Sequence, residues 1–95
     1  METFLVRVEL HGSPTSKDYD KLHAKMEAKG FSRTITGSSG TEYHLPHAEY
    51  ELEGDFTKSE VLQKAKDAAS QVWSDFGVMV TQSKGQSWNG LEKVA

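Results

Sequence analysis

Histidine is the residue type in this chain best suited to chemistry near neutral pH, because its charge changes there. The chain has four histidines: His11, His23, His44 and His47. Two of them acting together can take a proton from one oxygen and give a proton to another, while a cation stabilises a phosphorane-like transition state. On RNA, this chemistry would activate a 2′-hydroxyl and protonate the leaving 5′-oxygen. Arg7 and Arg33 are the candidate cations.

Each histidine also has a structural interpretation. Those in strands can be solvated edge residues, and His23 lies on the apolar stripe of a predicted helix, where a partly buried histidine at the core margin is common. Together with Glu9 and Glu49, the histidines would suit zinc or manganese as ligands. No HExxH spacing supports such a site. We therefore predict no metal and no cofactor.

The first elements that must position these residues are a strand and a helix. Alternation over residues 3–11 predicts a strand with Phe4, Val6, Val8 and Leu10 on its buried face. Thr15 and Asp18 have the spacing of a capping box, which begins a helix predicted to run to about Lys29. Gly30 is the expected helix stop.

Three further strands and a second helix complete the prediction. Residues 31–36 form strand 2, residues 37–40 a mobile hairpin loop, and residues 42–54 a central strand with a bend or bulge at Pro46. Thr57 and Glu60 cap helix 2, whose apolar stripe is predicted to reach Phe76. Residues 78–82 form strand 4.

This element order is that of the ferredoxin-like β-α-β-β-α-β fold. It predicts an antiparallel four-stranded sheet of order 4-1-3-2 with both helices on one face, in an α+β domain over residues 1–83. The polar segment 84–95 would be a tail that docks through Trp88. On the open face of the sheet, His11, His44 and His47 are expected to gather at one end.

Composition narrows the classes of function. The net charge of −3 and a pI near 5.7 count against a general nucleic-acid binder, although a transient RNA substrate stays possible. The absence of cysteine fits a reducing compartment, and no apolar run is long enough for a membrane span. We expect a cytoplasmic protein with no membrane and no DNA partner.

Three stretches resemble a known family. They are FLVRVELH at 4–11, LHAKM at 22–26 with GFSR at 30–33, and YHLPHAEY at 43–50. They are similar to the GhoS endoribonuclease antitoxin family of type V toxin–antitoxin systems. The resemblance implies a ferredoxin-like domain related in shape to the CRISPR-associated adaptation nuclease, often a homodimer, that cleaves messenger RNA. Those nucleases carry a metal-binding aspartate near the end of strand 1, where this chain has Glu9-Leu10-His11.

Two functional hypotheses follow. The first is metal-independent cleavage of single-stranded RNA, with His11, His23 and His47 as catalytic acid and base groups. The RNA-binding residues would then be Arg7, Arg33, Tyr43 and His44. The second is a non-catalytic protein-interaction module of phage or bacterial origin that uses the open sheet face or an edge strand. The acidic balance motivates the second hypothesis.

Overall fold

The fold is given by a computed structural model that describes residues 2–37, 39–85 and 87–94. The elements in chain order are β1 (Glu2–Leu10), α1 (Ser16–Ala28), β2 (Thr34–Thr36), β3 (Glu42–His44), β4 (Glu49–Gly54), α2 (Lys58–Ser70) and β5 (Phe76–Ser83). The predicted α+β class, with two helices and antiparallel strands, is confirmed.

The strands are divided between two sheets. One has the order β4-β1-β5, with β1 antiparallel to both neighbours, and the other is the β2-β3 hairpin. The segment before β2 lies beside β4, because Ser32 and Glu51 exchange both backbone hydrogen bonds at 2.8 Å. A single four-stranded sheet was expected. The structure instead has a three-stranded sheet and a two-stranded hairpin, which the Ser32–Glu51 bridge joins.

Residues 42–54, predicted as one central strand with a bend or bulge at Pro46, form two strands in different sheets. The break lies between His44 and Glu49, where the Glu49 N–H donates to the Pro46 carbonyl at 3.1 Å and closes a turn. Ala48 has a left-handed backbone (φ 61°), which an alanine rarely adopts. The Val8 N–H donates to the Ala48 carbonyl at 3.1 Å, so the left-handed residue is held by the edge of β1.

One hydrophobic core lies between the three-stranded sheet and the two helices. The even-numbered residues of β1 and β4 face it, as the alternation predicted, and the helices contribute Leu22, Met26 and Val61 with three alanines of α2. The small alanines let α2 approach the sheet closely. Helix 2 ends at Ser70, short of the prediction, and Phe76 instead begins β5 and packs against the core.

Both helices begin with the predicted capping boxes. Thr15 and Asp18 satisfy each other's backbone N–H groups at the start of α1, and Thr57 and Glu60 do so at α2. Reciprocal capping of this kind satisfies donors that the helix leaves unpaired. Helix 1 ends at the cap residue Lys29, and Gly30 follows with φ 94°, as predicted.

The C-terminal segment lies against the β2-β3 hairpin. The His44 N–H donates to the Glu92 carbonyl at 2.8 Å, and the Val94 N–H donates to the Glu42 carbonyl at 3.0 Å. Trp88 packs edge-on against Tyr43, with ring centroids 5.5 Å apart. A cavity of about 290 Å³ lies between this segment, the hairpin and the sheet face that carries Leu5. The face expected to be open is thus partly covered.

In the loop at 37–40 the Gly40 N–H donates to the Gly37 carbonyl at 2.9 Å, while Ser38 of the predicted mobile loop lies outside the described residues. Neither described helix combines the length and hydrophobicity that crossing a bilayer requires.

Candidate functional site

A buried histidine–tyrosine pair lies where α1 packs against β4. His23 Nδ1 is 2.6 Å from the Tyr50 hydroxyl, and only 5% of His23 is exposed. Helix periodicity places His23 beside the core residues Leu22 and Met26, and strand alternation turns Tyr50 inward. The Tyr50 hydroxyl is therefore the hydrogen-bond partner of His23 Nδ1 at the margin of the core.

Two further rings extend this pair toward the surface. His47 lies edge-on to His23, with ring centroids 5.7 Å apart, and Tyr19 lies 4.5 Å from His47. Tyr19 also accepts the backbone N–H of Leu10 at 3.2 Å. His47 itself is exposed. Its expected place on the opposite sheet face is wrong, because the turn at Ala48 directs it to the side of α1.

Burial keeps both members of the pair neutral, and a nearby cation adds to this effect at His23. Burial lowers the pKa of His23, and the charges of Arg33 and His47 lower it further. Burial also raises the pKa of the Tyr50 hydroxyl well above its ordinary value. At neutral pH the pair is therefore an uncharged imidazole hydrogen-bonded to a protonated phenol.

An open groove of about 550 Å³ adjoins the pair. Its walls come from the end of α1, the segment before β2 and the start of the hairpin, and it is lined by Glu27, Gly30, Phe31, Ser32, Arg33, Thr34 and His44. Backbone pairing holds Arg33 and His44 near each other. Thr34, which follows Arg33, is opposite His44, and the Leu45 N–H donates to the Arg33 carbonyl at 2.8 Å. The groove therefore presents the Arg33 guanidinium and the His44 imidazole beside the Glu27 carboxylate.

The groove and the buried pair are in contact. Phe31 lines the groove and packs edge-on against the Tyr50 ring, with centroids 6.3 Å apart. Arg33 is close enough for its charge to lower the pKa values of both His23 and Tyr50. The candidate site therefore has two parts. One is the groove, and the other is the group formed by His23, His47, Tyr19 and Tyr50, which we call the histidine cluster.

His11 lies in a different environment. Its ring contacts Asp75 Oδ1 at 3.1 Å and Glu9 Oε1 at 3.2 Å, and 43% of its side chain is exposed. The hydrogen bond to Asp75 is the main cause of a raised pKa. The Trp73 indole N–H donates to the His11 carbonyl at 2.7 Å. The neighbours of His11 are thus Glu9, Asp75 and Trp73, whereas His44 lines the groove and the ring of His47 packs against Tyr19.

The remaining predicted RNA-binding residues also lie apart from the groove. Arg7 lines a shallow depression of about 360 Å³ on the sheet face, beside Glu9 and Met79. Tyr43 is half-buried, and its ring already packs edge-on against Trp88. Among residues 2–37, 39–85 and 87–94, no three histidine or carboxylate side chains converge on a common metal position.

Two members of the cluster, Tyr19 and Tyr50, are not among the residues predicted from the sequence. Alternation along β4 places Tyr50 in the core but does not identify a partner for its hydroxyl. Tyr19 precedes His23 by four residues, so the two share one face of α1. The four-residue spacing of Tyr19 and His23, taken together with the inward-facing Tyr50, is the sequence pattern that could have indicated the cluster.

No family model matches the chain, and no curated protein is significantly similar to it. Membership of the GhoS family therefore stays a prediction.

Proposed function

We propose that the groove binds single-stranded RNA and that the histidine cluster supports its metal-independent cleavage. One observation carries the proposal: Arg33 lines the groove while its charge reaches the His23–Tyr50 pair, next to the exposed His47. A guanidinium suits a phosphate in such a place, because it offers several donors in a fixed plane.

Each residue of the proposed site has a distinct role. His47 and His44 are the exposed imidazoles that exchange protons with substrate, and Arg33 stabilises charge on phosphorus. One imidazole takes the proton of the 2′-hydroxyl as that oxygen attacks phosphorus. The other gives a proton to the departing 5′-oxygen. The products are a 2′,3′-cyclic phosphate and a 5′-hydroxyl end.

His23 has a positioning role in this scheme. It is too buried to touch a substrate, and its ring contacts that of His47 while Tyr50 fixes its orientation. His11, the third predicted catalytic histidine, is left outside the scheme because its neighbours are Glu9 and Asp75.

The fold assignment belongs to the same proposal. We assign a ferredoxin-like arrangement in which the segment leading into β2 extends the three-stranded sheet beyond β4. The Ser32–Glu51 bridge supports this reading, since it lies on the edge of β4 that β1 leaves unpaired. The sheet order would then be β5-β1-β4-β2.

The test is a cleavage assay on fluorescent single-stranded RNA in EDTA. The native protein should release fragments ending in a cyclic phosphate. His47→Ala should slow cleavage by about a hundredfold, the usual effect of removing a general acid or base. Arg33→Gln should lose a comparable amount, whereas Lys66→Gln, which removes an exposed positive charge from α2, should cleave normally.

Two outcomes would overturn the proposal. Intact RNA at high protein concentration would do so, and would favour the protein-interaction alternative. Loss of cleavage in His11→Gln with retention in His47→Ala would place the chemistry beside Asp75 instead.

A further inference from the structure

The cavity beneath the C-terminal segment has mostly apolar walls. Its volume of about 290 Å³ is close to the lower end of the range for small-molecule sites, about 300–1,000 Å³. The sheet face, the hairpin, the turn and the C-terminal segment supply its apolar lining, which consists of Leu5, Ile35, Leu45, Pro46, Trp88 and Leu91. A cavity of this size and lining suits a molecule with one ring or a short hydrocarbon chain.

Contacts outside the cavity hold its cover in place. The C-terminal segment is joined to β3 by backbone hydrogen bonds of 2.8 and 3.0 Å, which involve Glu92 and Val94. Trp88 packs edge-on against Tyr43 on the same strand. These contacts are made within the chain and need no ligand. The cavity is therefore formed before a ligand binds, which reduces the free-energy cost of binding.

One carboxylate determines the charge of the cavity. Among the described residues that line it, Glu49 is the charged one, and its side chain is half-buried. Its backbone is fixed, since its N–H donates to the Pro46 carbonyl at 3.1 Å and it is opposite Arg7 in the pairing of β4 with β1. Arg7 lines a separate depression, and within the described part of the chain the Glu49 carboxylate has no ion pair. A half-buried carboxylate in this state favours a ligand that supplies a cation.

The geometry points to a small organic cation with an apolar body as the ligand of this cavity, of the class of primary amines carried on one aromatic ring. The ammonium group binds the Glu49 carboxylate through a charge-assisted hydrogen bond. The apolar body is buried against Leu5 and Trp88. The exposed side chains of Ser87 and Asn89 add polar groups at the rim.

The same contacts disfavour other ligands of this size. An anion of the same shape is repelled by Glu49, and a neutral molecule of the same shape gains no charge-assisted hydrogen bond. The cavity and the groove share no lining residue, so the inference is independent of RNA cleavage.

Three molecules of nearly equal shape test the charge preference on the native chain. They are phenethylamine, phenethyl alcohol and phenylacetate, each titrated near neutral pH and followed by two-dimensional NMR. The amine should bind with a Kd of about 1 mM or below, the alcohol about tenfold more weakly, and phenylacetate more weakly still. The indole N–H signal of Trp88 should move on binding, whereas that of Trp73, which does not line the cavity, should stay in place.

A variant and a matched control then identify the carboxylate. Glu49→Gln should weaken binding of the amine by about tenfold, to the level of the alcohol. Glu53→Gln, at an exposed glutamate of the same strand outside the cavity, should bind the amine as the native chain does. Two-dimensional spectra of both variants check that the fold is kept, and the comparison of the three molecules depends on the native chain alone.

Three results would overturn the proposal. One is a Trp88 signal that does not move with phenethylamine up to about 10 mM. Another is equal binding of the three molecules, which would show that the cavity selects apolar shape without regard to charge. The third is an equal loss of amine binding in Glu49→Gln and Glu53→Gln, which would assign the effect to the net charge of the protein.

Discussion

His11 and His23 are the same side chain in opposite surroundings. His23 is enclosed by α1 and β4 with the Tyr50 hydroxyl as its partner, while His11 lies at the surface between two carboxylates. Burial lowers the pKa of the first, and carboxylate contacts raise the pKa of the second. The difference shows that the neighbours of a histidine, which the sequence does not display, determine its charge at neutral pH.

The same difference gives the two residues opposite effects on stability as pH changes. A group stabilises the fold in the protonation state that the folded chain favours. The folded chain favours neutral His23, so that contribution is present above the unfolded pKa and lost as pH falls through the folded pKa. It favours protonated His11, so that contribution is present below the unfolded pKa and lost as pH rises through the folded pKa.

The largest expected effect comes from removing the partner of the buried histidine. Tyr50→Phe keeps the ring in the core but leaves His23 Nδ1 without its hydrogen bond, which should cost about 1–3 kcal/mol of unfolding free energy. Urea denaturation measures this. Tyr43→Phe, at a half-buried tyrosine outside the cluster, should change stability by less than about 0.5 kcal/mol. Equal losses in both variants would show that the His23–Tyr50 bond has no special weight.

A smaller effect is expected in the pH dependence of stability. Below pH 6.5, stability should fall with decreasing pH in the native chain, because unfolded chains bind a proton at His23 more readily than folded ones. In His23→Gln this part of the slope should disappear. Denaturant midpoints at a series of pH values measure the slope. A native profile that is flat, or that rises toward acid in this range, would contradict the assignment of a neutral buried His23.

The smallest effect concerns His11. Asp75→Asn should lower its pKa toward the ordinary value, and Glu9→Gln should lower it less, because the Asp75 hydrogen bond is the larger cause. Histidine ring signals followed by NMR during a pH titration report both changes. Neither variant should alter the resonances of His23. A larger effect from Glu9→Gln would reverse the ranking of the two carboxylates.

Local patterns predicted much of the fold. Alternation along β1, the stripe of α1 and the two capping boxes involve residues within a few positions of each other, so the sequence displays them directly. The cluster was only partly predictable. His23 was selected as a candidate, but its contacts with His47 and Tyr50 depend on how a helix meets a strand about 25 residues later.

Two features had no sequence pattern to reveal them. Alanine is a poor choice for a left-handed position, so the turn at Ala48 could not be inferred from residue type. The pairing of Tyr43 with Lys93 joins segments far apart in the chain, and short polar stretches carry little information about such partners. The turn places His47 beside α1. The Tyr43–Lys93 bridge accompanies the packing of Trp88 on Tyr43, for which the sequence predicted Trp88 as the docking residue but not Tyr43 as its partner.

A one-residue insertion or deletion has different consequences in the turn between His44 and Glu49 than it has within a strand. Within a strand, inserting or deleting one residue exchanges the two faces of everything that follows. Here β4 is fixed by its pairing with β1, and Leu52 and Tyr50 stay in the core whatever precedes them. A one-residue change in the turn would therefore alter the position of His47 and the local contacts of Leu45, Pro46 and Ala48 while the register of β4 is kept. The surface that carries His47 is thus set by the turn, separately from the strand pairing that builds the core.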